Sequence, residues 1–240
     1  MNNQPIEKYV EHKDGKLDVH SIFKTIQGEG PLSGTPAVFV RLAGCCLQCP
    51  MCDTDYTSGR QLMDVESIYD KINTLHKSPY LVVITGGEPF RQDIGRLIDT
   101  LWLNGYYIQI ETNGTLPPSR LHETVYNTIS NSIIRRPLIV CSPKTGKIDP
   151  EIMKCAYAFK YVIKHNSIKL EDGLPLNHLD HSANPWPARP SVDWTGLIYI
   201  QPEDSGDTEQ NKLNMQQTVK SCLEHGYIMQ LQIHKIIGVE

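Results

Sequence analysis

The chain has 240 residues and a formal net charge of −4, so it is long enough for one sizeable core and has no global positive charge. This charge disfavours nucleic acid or an anionic membrane as the main partner and favours a small-molecule substrate. The sequence contains no run of about 18 apolar residues and no signal-peptide pattern. It therefore predicts a cytoplasmic, single-domain protein whose 7 cysteines stay reduced.

The first part of the chain is polar and charged. We interpret residues 1–18 as an N-terminal arm and residues 19–240 as the core domain. Alternating apolar residues from Ile22 to Ile26 predict a strand that runs into the turn Gln27-Gly28-Glu29. The glycines beside Glu29 would let the backbone approach a ligand closely, although an ordinary turn is the simpler explanation of these residues taken alone.

A cysteine-rich loop follows the next predicted strand. Cys45, Cys49 and Cys52 are spaced Cys-x3-Cys-x2-Cys, and three thiolates so close together suit a soft metal but leave a tetrahedral shell one ligand short. An iron–sulfur cluster with one open iron, a zinc knuckle and a redox dithiol at Cys49 and Cys52 are all compatible with this spacing. Cys46 could also replace Cys45 as the third ligand.

The rest of the chain alternates between apolar strands, polar turns and helices. Predicted strands cover residues 37–42, 80–85, 106–114, 137–144, 159–164, 197–203 and 227–235, and predicted helices cover residues 64–76, 93–103, 121–130 and 208–224. The polar residues cluster at the carboxyl ends of the strands, where α/β barrels place their ligands. We therefore expect an α/β fold, a partial (βα)6 barrel with its site at that end.

Residues 165–195 interrupt this order and are rich in Pro, Asn, Asp and His. They predict an excursion over the surface. His165, His178 and His181 lie in it, but a polar loop collects histidines without binding metal, so we predict no metal site there.

The turns taken together resemble one known family. IQGEG, GCCLQCPMCDT, TGGEP, ETNG, SPK, QPE and a terminal QIHK occur in the order found in the 7-carboxy-7-deazaguanine synthase family of radical S-adenosylmethionine (SAM) enzymes. The resemblance extends from about Val19 to Glu240, except for residues 165–195. It implies a radical-SAM-type partial barrel, and a [4Fe–4S] cluster, SAM and Mg2+ as cofactors. It further implies ring contraction of 6-carboxy-5,6,7,8-tetrahydropterin to 7-carboxy-7-deazaguanine, a step towards queuosine, by a homodimer that receives electrons from a flavodoxin-like donor.

The resemblance also implies roles for individual residues. Cys45, Cys49 and Cys52 would hold the cluster, Thr54 would bind Mg2+, and Glu29 would join them in the catalytic set. The SAM site would comprise Met51, Cys52, Asp53, Gly87, Glu88, Glu111, Asn113, Ser142, Pro143, Lys144, Gln201, Pro202, Glu203 and Asp204. The substrate site would comprise Ile26, Gln27, Gly28, Glu29, Arg41, Thr85 and the chain terminus at Glu240.

Simpler structural roles and other functions are also compatible with these residues. Helix or turn capping could explain Glu88, Glu111 and Ser142, and a surface ion pair could explain Lys144. Cys46 and Ile233 depart from the residues that relatives usually carry. A glycyl-radical activating enzyme within the same superfamily, and a zinc-binding module without catalysis, are the alternative functions.

Overall fold

An open sheet organises the fold. The computed structural model describes residues 2–76, 80–120, 136–177 and 186–239, and within these residues nine strands form one sheet. The strands are β1 (Leu17–Ile26), β2 (Pro36–Leu42), β3 (Gln61–Met63), β4 (Leu81–Gly86), β5 (Tyr107–Thr112), β6 (Leu138–Cys141), β7 (Ala158–Ile163), β8 (Leu197–Pro202) and β9 (Ile228–Met229). Their order is β3-β1-β2-β4-β5-β6-β7-β8-β9, which makes β3 and β9 the edges.

Strand direction agrees with the predicted barrel. Strand β1 is antiparallel to β2 and β3, whereas the strands from β2 through β4 to β9 are all parallel to one another. The six predicted barrel strands are β2 and β4 to β8. Because β3 and β9 are not paired with each other, the sheet is not closed. The prediction of an α/β fold with a partial barrel is confirmed.

Alternate side chains of the parallel strands point to different faces of the sheet. Leu42 and Ile84 lie in the main apolar core with helix residues, whereas their sequence neighbours Arg41 and Thr85 line a cavity on the other face of the sheet. Arg41 and Thr85 are also register partners across β2 and β4. Since successive side chains of a strand point to opposite faces, one apolar run supplies both the core and the cavity wall.

Helices α1 (Val65–Leu75), α2 (Gly95–Leu103), α3 (Pro150–Cys155), α4 (Thr208–His225) and α5 (Ile233–Ile237) follow the strands. The ends of α1 and α4 lie where the sequence predicts. The side chains of Asp64 and Asp207 accept the first free N–H groups, those of Ser67 and Gln210, at 2.7 Å. Helix α4 ends at Gly226, whose φ of 75° is easily adopted only by glycine.

The C-terminal segment differs from the prediction. The strand predicted over residues 227–235 ends at Met229, and the chain then forms α5. Two glutamines that follow this short strand, two positions apart, are hydrogen-bond partners of the IQGEG turn. Gln230 Oε1 accepts the Gly30 N–H at 2.6 Å, and Gln232 Nε2 donates to Glu29 Oε1 at 2.8 Å. Helix α3 was not predicted, and β1 begins at Leu17, within the predicted arm.

Some predictions concern residues outside the described ranges. The helix predicted over residues 121–130, His178, His181 and Glu240 are among them. The described parts of the excursion, residues 165–177 and 186–195, contain only an isolated bridge between Ile168 and Pro175. Within the part of the chain that the structure describes, no helix combines the length and apolarity needed to cross a membrane.

Candidate functional site

A cavity of about 480 Å³ lies at the carboxyl ends of the parallel strands. It brings together most of the residues that the sequence predicts for the site. These are Ile26, Gln27, Glu29, Arg41, Met51, Cys52, Asp53, Thr54, Thr85, Gly87, Glu111, Asn113, Ser142, Lys144, Gln201, Pro202, Glu203 and Asp204. Gly28, Cys45, Cys49, Glu88 and Pro143 are not among the residues that line it.

The cysteine loop forms one side of this cavity. Cys45 and Cys49 are buried, Cys52 is partly exposed, and all three are free thiols. Cys52 Sγ lies 3.7 Å from the Thr54 carbonyl oxygen. Burial raises the pKa of Cys49 to about 11 and also raises the pKa of Cys52. The two thiols are therefore protonated in the free protein and would lose their protons on binding a metal or cluster.

Cys46 has polar partners of its own. Its Sγ lies 3.2 Å from Thr115 Oγ1 and accepts a hydrogen bond from Asn113 Nδ2 at 3.5 Å. A hydrogen bond with the Cys45 thiol, helped by those from Thr115 and Asn113, lowers the pKa of Cys46 to about 6. These contacts direct the Cys46 side chain towards the turn after β5.

Three thiols of one loop fit an iron–sulfur cluster with an open position. Gly87 allows the turn after β4 to approach them, since a Cβ there would lie 2.2 Å from the Gly44 carbonyl oxygen and 2.8 Å from Cys45 Cβ. The charge of Lys144 acts on Cys49 and Cys52, favouring their ionised forms. No three His, Cys, Asp or Glu side chains of the described residues are arranged to hold a single metal ion.

Glu88 lies beneath the cavity wall and is fully buried. Its carboxylate accepts hydrogen bonds from Phe90 N at 3.1 Å, Thr112 Oγ1 at 2.7 Å and Asn113 N at 2.8 Å. Burial and the nearby charge of Cys46 outweigh these bonds and raise the pKa of Glu88 to about 7. In this structure Glu88 therefore ties the turn after β4 to the end of β5, while Gly87 lines the cavity.

A buried ion cluster occupies the opposite side of the cavity. Lys160 of β7 pairs with Glu29 Oε2 and, at 3.2 Å, with Glu111 Oε2. Glu29 Oε1 also accepts hydrogen bonds from Gln201 Nε2 at 3.2 Å and Gln232 Nε2 at 2.8 Å. Segments that are distant in the chain thus hold two carboxylates against one ammonium group. We call Glu29, Lys160 and Glu111 the ion triad.

Glu29 and Lys160 of the ion triad are both charged. Burial acts to raise the pKa of Glu29, but the charge of Lys160 and three hydrogen-bond donors outweigh it and lower that pKa to about 2. Burial acts to lower the pKa of Lys160, but Glu111 and Glu29 outweigh it and raise that pKa. The triad therefore places a buried ion pair at the cavity, with acceptor oxygens on both carboxyl groups.

Arg41 brings a positive charge to the cavity wall. Its guanidinium lies over the ring of Phe23, with Cζ 5.2 Å from the ring centroid. Phe23 in turn stacks on Phe39 with ring centroids 5.5 Å apart. The cation–π contact and the two rings hold the guanidinium in place. A guanidinium has two parallel N–H groups that suit a carboxylate.

The turns after β6 and β8 provide further polar groups. Lys144 Nζ donates to Ser142 Oγ at 2.9 Å, and burial together with the charge of Lys160 lowers the pKa of Lys144. Asp204 pairs with Lys235 of α5 at 3.3 Å. This ion pair connects helix α5 to the turn after β8.

Thr54 and Asp53 contribute oxygen atoms near the cysteine loop. Thr54 Oγ1 donates to Asp53 Oδ1 at 3.3 Å, and both residues line the cavity. Hydroxyl and carboxylate oxygens are ligands that Mg2+ accepts, and Mg2+ usually takes few of them from protein. The two residues fit such an ion.

Lys160 lines the cavity but was not singled out from the sequence. The sequence does contain a signal for it, because a lysine between Phe159 and Tyr161 interrupts an apolar strand. Gln232, His234 and Lys235 of the terminal QIHK motif also line the cavity. The sequence indicated this motif as part of the site but gave its residues no individual roles.

Gly28 explains how α5 reaches the cavity. A Cβ at Gly28 would lie 1.9 Å from His234 Nδ1, so the side chain of His234 occupies the space that any larger residue would need. The Gly28 carbonyl oxygen also accepts the Ile233 N–H at 3.3 Å. Glycine at this position lets the C-terminal helix pack directly on the IQGEG turn.

Several known proteins are similar to this chain over most of its length. Residues 40–133 match the family model of the Radical SAM superfamily. The 7-carboxy-7-deazaguanine synthase of Rickettsia prowazekii is 37% identical over 236 residues, covering 94% of this chain and 89% of that protein. The 7-carboxy-7-deazaguanine synthase of Rhodospirillum rubrum is 36% identical over 239 residues, covering 94% of both chains.

A solved structure supports the fold. The crystal structure of QueE from Escherichia coli is similar with a TM-score of 0.64 and 23% sequence identity, covering 90% of this chain and 93% of that one. The relatives that match almost from end to end, together with the cysteine loop and the cavity beside it, lead to one conclusion. This chain belongs to the 7-carboxy-7-deazaguanine synthase family of radical SAM enzymes.

Proposed function

We propose that this enzyme converts 6-carboxy-5,6,7,8-tetrahydropterin into 7-carboxy-7-deazaguanine and ammonia. The observation behind the proposal is that one cavity combines the ion triad, the guanidinium of Arg41 and the cysteine loop. The pterin has an edge of N–H donors at one end and a carboxylate at the other. The cavity has carboxylate acceptors and a guanidinium to match them.

The Radical SAM family implies an iron–sulfur cluster and SAM as cofactors. Cys45, Cys49 and Cys52 would hold the cluster, and Gly87, Glu88 and the turns after β5, β6 and β8 would form the SAM site. When bound and reduced, these cofactors would supply the radical chemistry that removes a hydrogen atom from the substrate.

The residues of the chain would orient the substrate for this step. Arg41 would bind its carboxylate through two parallel hydrogen bonds, with Thr85 beside it. Glu29 and Glu111 would accept hydrogen bonds from the pyrimidine edge, with Ile26, Gln27 and Gly28 forming the adjacent wall. Lys160 lowers the pKa of Glu29, so that Glu29 accepts and does not donate. This arrangement would fix C6 towards the cysteine loop.

Mg2+ would complete the site. Thr54, with Asp53 beside it, would provide protein oxygens, and the substrate and water would provide the rest. A cation at this position would stabilise negative charge that develops on the substrate as the ring contracts. Loss of ammonia accounts for the whole difference in composition between substrate and product. The reaction is therefore redox-neutral overall.

The proposal extends to the location, oligomeric state, electron donor and pathway of the enzyme. From the resemblance we expect a cytoplasmic homodimer, with a flavodoxin-like protein as electron donor, whose product enters queuosine synthesis. We also propose that the α-carboxylate of Glu240 contacts the substrate. Each of these points stays a prediction.

An anaerobic turnover assay tests the proposed function. The reconstituted protein is incubated with SAM, a strong reductant and 6-carboxytetrahydropterin, with and without added Mg2+, after removal of bound divalent ions by a chelator. We expect 7-carboxy-7-deazaguanine by mass spectrometry, formed faster with Mg2+. Formation of 5′-deoxyadenosine without this product would overturn the substrate assignment, and equal rates in both reactions would overturn the role of Mg2+.

A further inference from the structure

The N-terminal segment crosses the outside of the cysteine loop. Asn2 N donates to the Pro50 carbonyl oxygen at 3.0 Å, and Asn2 Nδ2 donates to the Cys49 carbonyl oxygen at 3.1 Å. Further along, Glu7 N donates to the Cys45 carbonyl oxygen at 2.8 Å. Two of the three proposed cluster ligands are therefore bonded through their own backbone to the first residues of the chain.

Gln4 makes the largest number of these contacts. Its Nε2 donates to the Thr54 carbonyl oxygen at 2.9 Å, and its Oε1 accepts the Tyr56 N–H at 2.7 Å. Its own carbonyl oxygen accepts from Gln48 Nε2 at 2.7 Å. The Thr54 carbonyl oxygen that accepts this bond from Gln4 also lies 3.7 Å from Cys52 Sγ. One residue thus contacts the loop at Gln48 through its backbone and at Thr54 and Tyr56 through its side chain.

Apolar burial does not explain why this segment lies here. Its larger apolar side chains point to solvent, with Ile6 62% and Tyr9 54% exposed. First residues of a domain are usually poorly ordered unless specific contacts hold them. Here the contacts are polar, and most of them go to the cysteine loop.

The other end of the segment is fixed to the barrel. Arg91, only 2% exposed, donates to the Lys8 carbonyl oxygen at 3.1 Å and pairs with Glu7 at 3.3 Å. Arg91 Nη2 also donates to the Ala43 carbonyl oxygen at 3.0 Å, immediately before the loop. A buried arginine therefore joins the segment to the end of β2.

The loop itself has little regular structure to make it rigid. Residues 44–57 form only an isolated bridge, between Cys45 and Ile6 of the N-terminal segment. A site that must keep three ligands in place needs support from surrounding residues whose own positions are fixed. Without a cluster, such support has to come from the rest of the chain.

We propose that residues 2–10 form a clamp that holds the cysteine loop in its cluster-binding conformation, with Gln4 as the central positioning residue. This inference rests on the proposed assignment of Cys45, Cys49 and Cys52 as cluster ligands. The clamp acts before the cluster arrives, by ordering the loop, and afterwards, by resisting the opening through which iron leaves.

Amide hydrogen exchange on the cluster-free protein tests the clamp without any assay of activity. Three variants are compared with wild type: Gln4→Ala, deletion of residues 2–5, and Asn3→Ala as a control on an exposed neighbour. Loss of the two Gln4 side-chain bonds, to Thr54 and Tyr56, should speed exchange of the peptide over residues 44–57 by about thirtyfold, since each hydrogen bond contributes about 1 kcal/mol. The deletion should have a larger effect and Asn3→Ala none.

Iron release provides the second measurement. After anaerobic reconstitution without SAM, a chelator should remove iron several-fold faster from Gln4→Ala and from the deletion variant than from wild type or Asn3→Ala. Thermal melting of each protein shows that the fold is retained. Loop exchange and iron release equal to wild type in both altered proteins would overturn the clamp. Failure of wild type itself to take up iron would instead overturn the ligand assignment, while the exchange comparison would still decide whether residues 2–10 hold the loop.

Discussion

Lys160 is the residue on which the charge balance of the cavity depends. It is 6% exposed and lies between Glu29 and Glu111, with both of which it forms ion pairs. Removing one partner of a buried ion pair usually costs about 3–5 kcal/mol because the remaining charge is left uncompensated. Changes at Lys160 should therefore affect both stability and substrate binding.

We expect Lys160→Met to lower the melting temperature and to raise the KM for the pterin by about tenfold or more, because the two acceptors repel each other and one takes up a proton. SAM affinity should change little. The double variant Lys160→Met with Glu111→Gln restores the net charge of the triad, so it should recover much of the melting temperature without recovering KM. A double variant no more stable than Lys160→Met would contradict the electrostatic explanation.

Cys45 and Cys46 are adjacent thiols for which the structure suggests different roles. Cys46 is bonded to Thr115 and Asn113 of the β5 turn, whereas the spacing places Cys45 with Cys49 and Cys52. We expect Cys45→Ala to lose the cluster and Cys46→Ala to retain it. Iron and sulfide per protein after reconstitution measure this. The reverse pattern would make Cys46 the third ligand.

At the scale of elements, helix α5 packs directly on the IQGEG turn. Gly28→Ala would place a Cβ 1.9 Å from His234 Nδ1, so the His234 ring, or α5 with it, would have to move. We expect faster amide exchange over residues 228–239 in this variant. Adding His234→Ala removes the ring that causes the clash and should restore slow exchange. Equal exchange in wild type and Gly28→Ala would show that α5 does not depend on this contact.

The sequence was most informative for elements with a strong period. The apolar runs that became β2 and β4 to β8, and the capped helices α1 and α4, were predicted because burial and capping act locally. The segment of residues 227–235, which includes the start of α5, was predicted as a strand. In it Gln230 and Gln232 lie two positions apart, as do residues on one face of a strand. Their partners, Gly30 and Glu29, lie about 200 residues earlier in the chain.

Features of the site were likewise predictable where they follow from local sequence and not where they depend on distant residues. Polar turns at strand ends indicated the cavity, because parallel strands bring these ends together. Pairing of Lys160 with Glu29 and Glu111 depends on how three strand ends face one another, and no local pattern encodes that. The burial of Glu88 beneath the wall likewise follows from its bonds to Thr112 and Asn113.

At the scale of the whole molecule, Glu88 links pH to stability. In the cluster-free fold its pKa is raised from an ordinary value of 4.5 to about 7, so the folded protein holds a proton that the unfolded chain releases. The contribution of this group is therefore full below about pH 4.5 and is lost as the pH rises through 7. Between acidic and neutral pH, the loss of this contribution lowers the free energy of unfolding by about 3 kcal/mol.

We expect the melting temperature of the cluster-free protein to fall as pH rises from 5 to 8, in part because of Glu88. In Glu88→Gln this dependence should be weaker, whatever the absolute stability of the variant. Glu171→Gln, a change at an exposed carboxylate, should retain the wild-type slope. Parallel slopes in wild type and Glu88→Gln would contradict the raised pKa.

The most direct test of the central claim is the identity and balance of the products. Under anaerobic conditions with SAM, Mg2+ and reductant, 6-carboxytetrahydropterin should be consumed with equal amounts of 7-carboxy-7-deazaguanine and ammonia formed, as measured by accurate mass and an ammonia assay. Consumption of SAM without these two products, in a protein shown to contain iron and sulfide, would contradict the account and assign the cavity to another substrate.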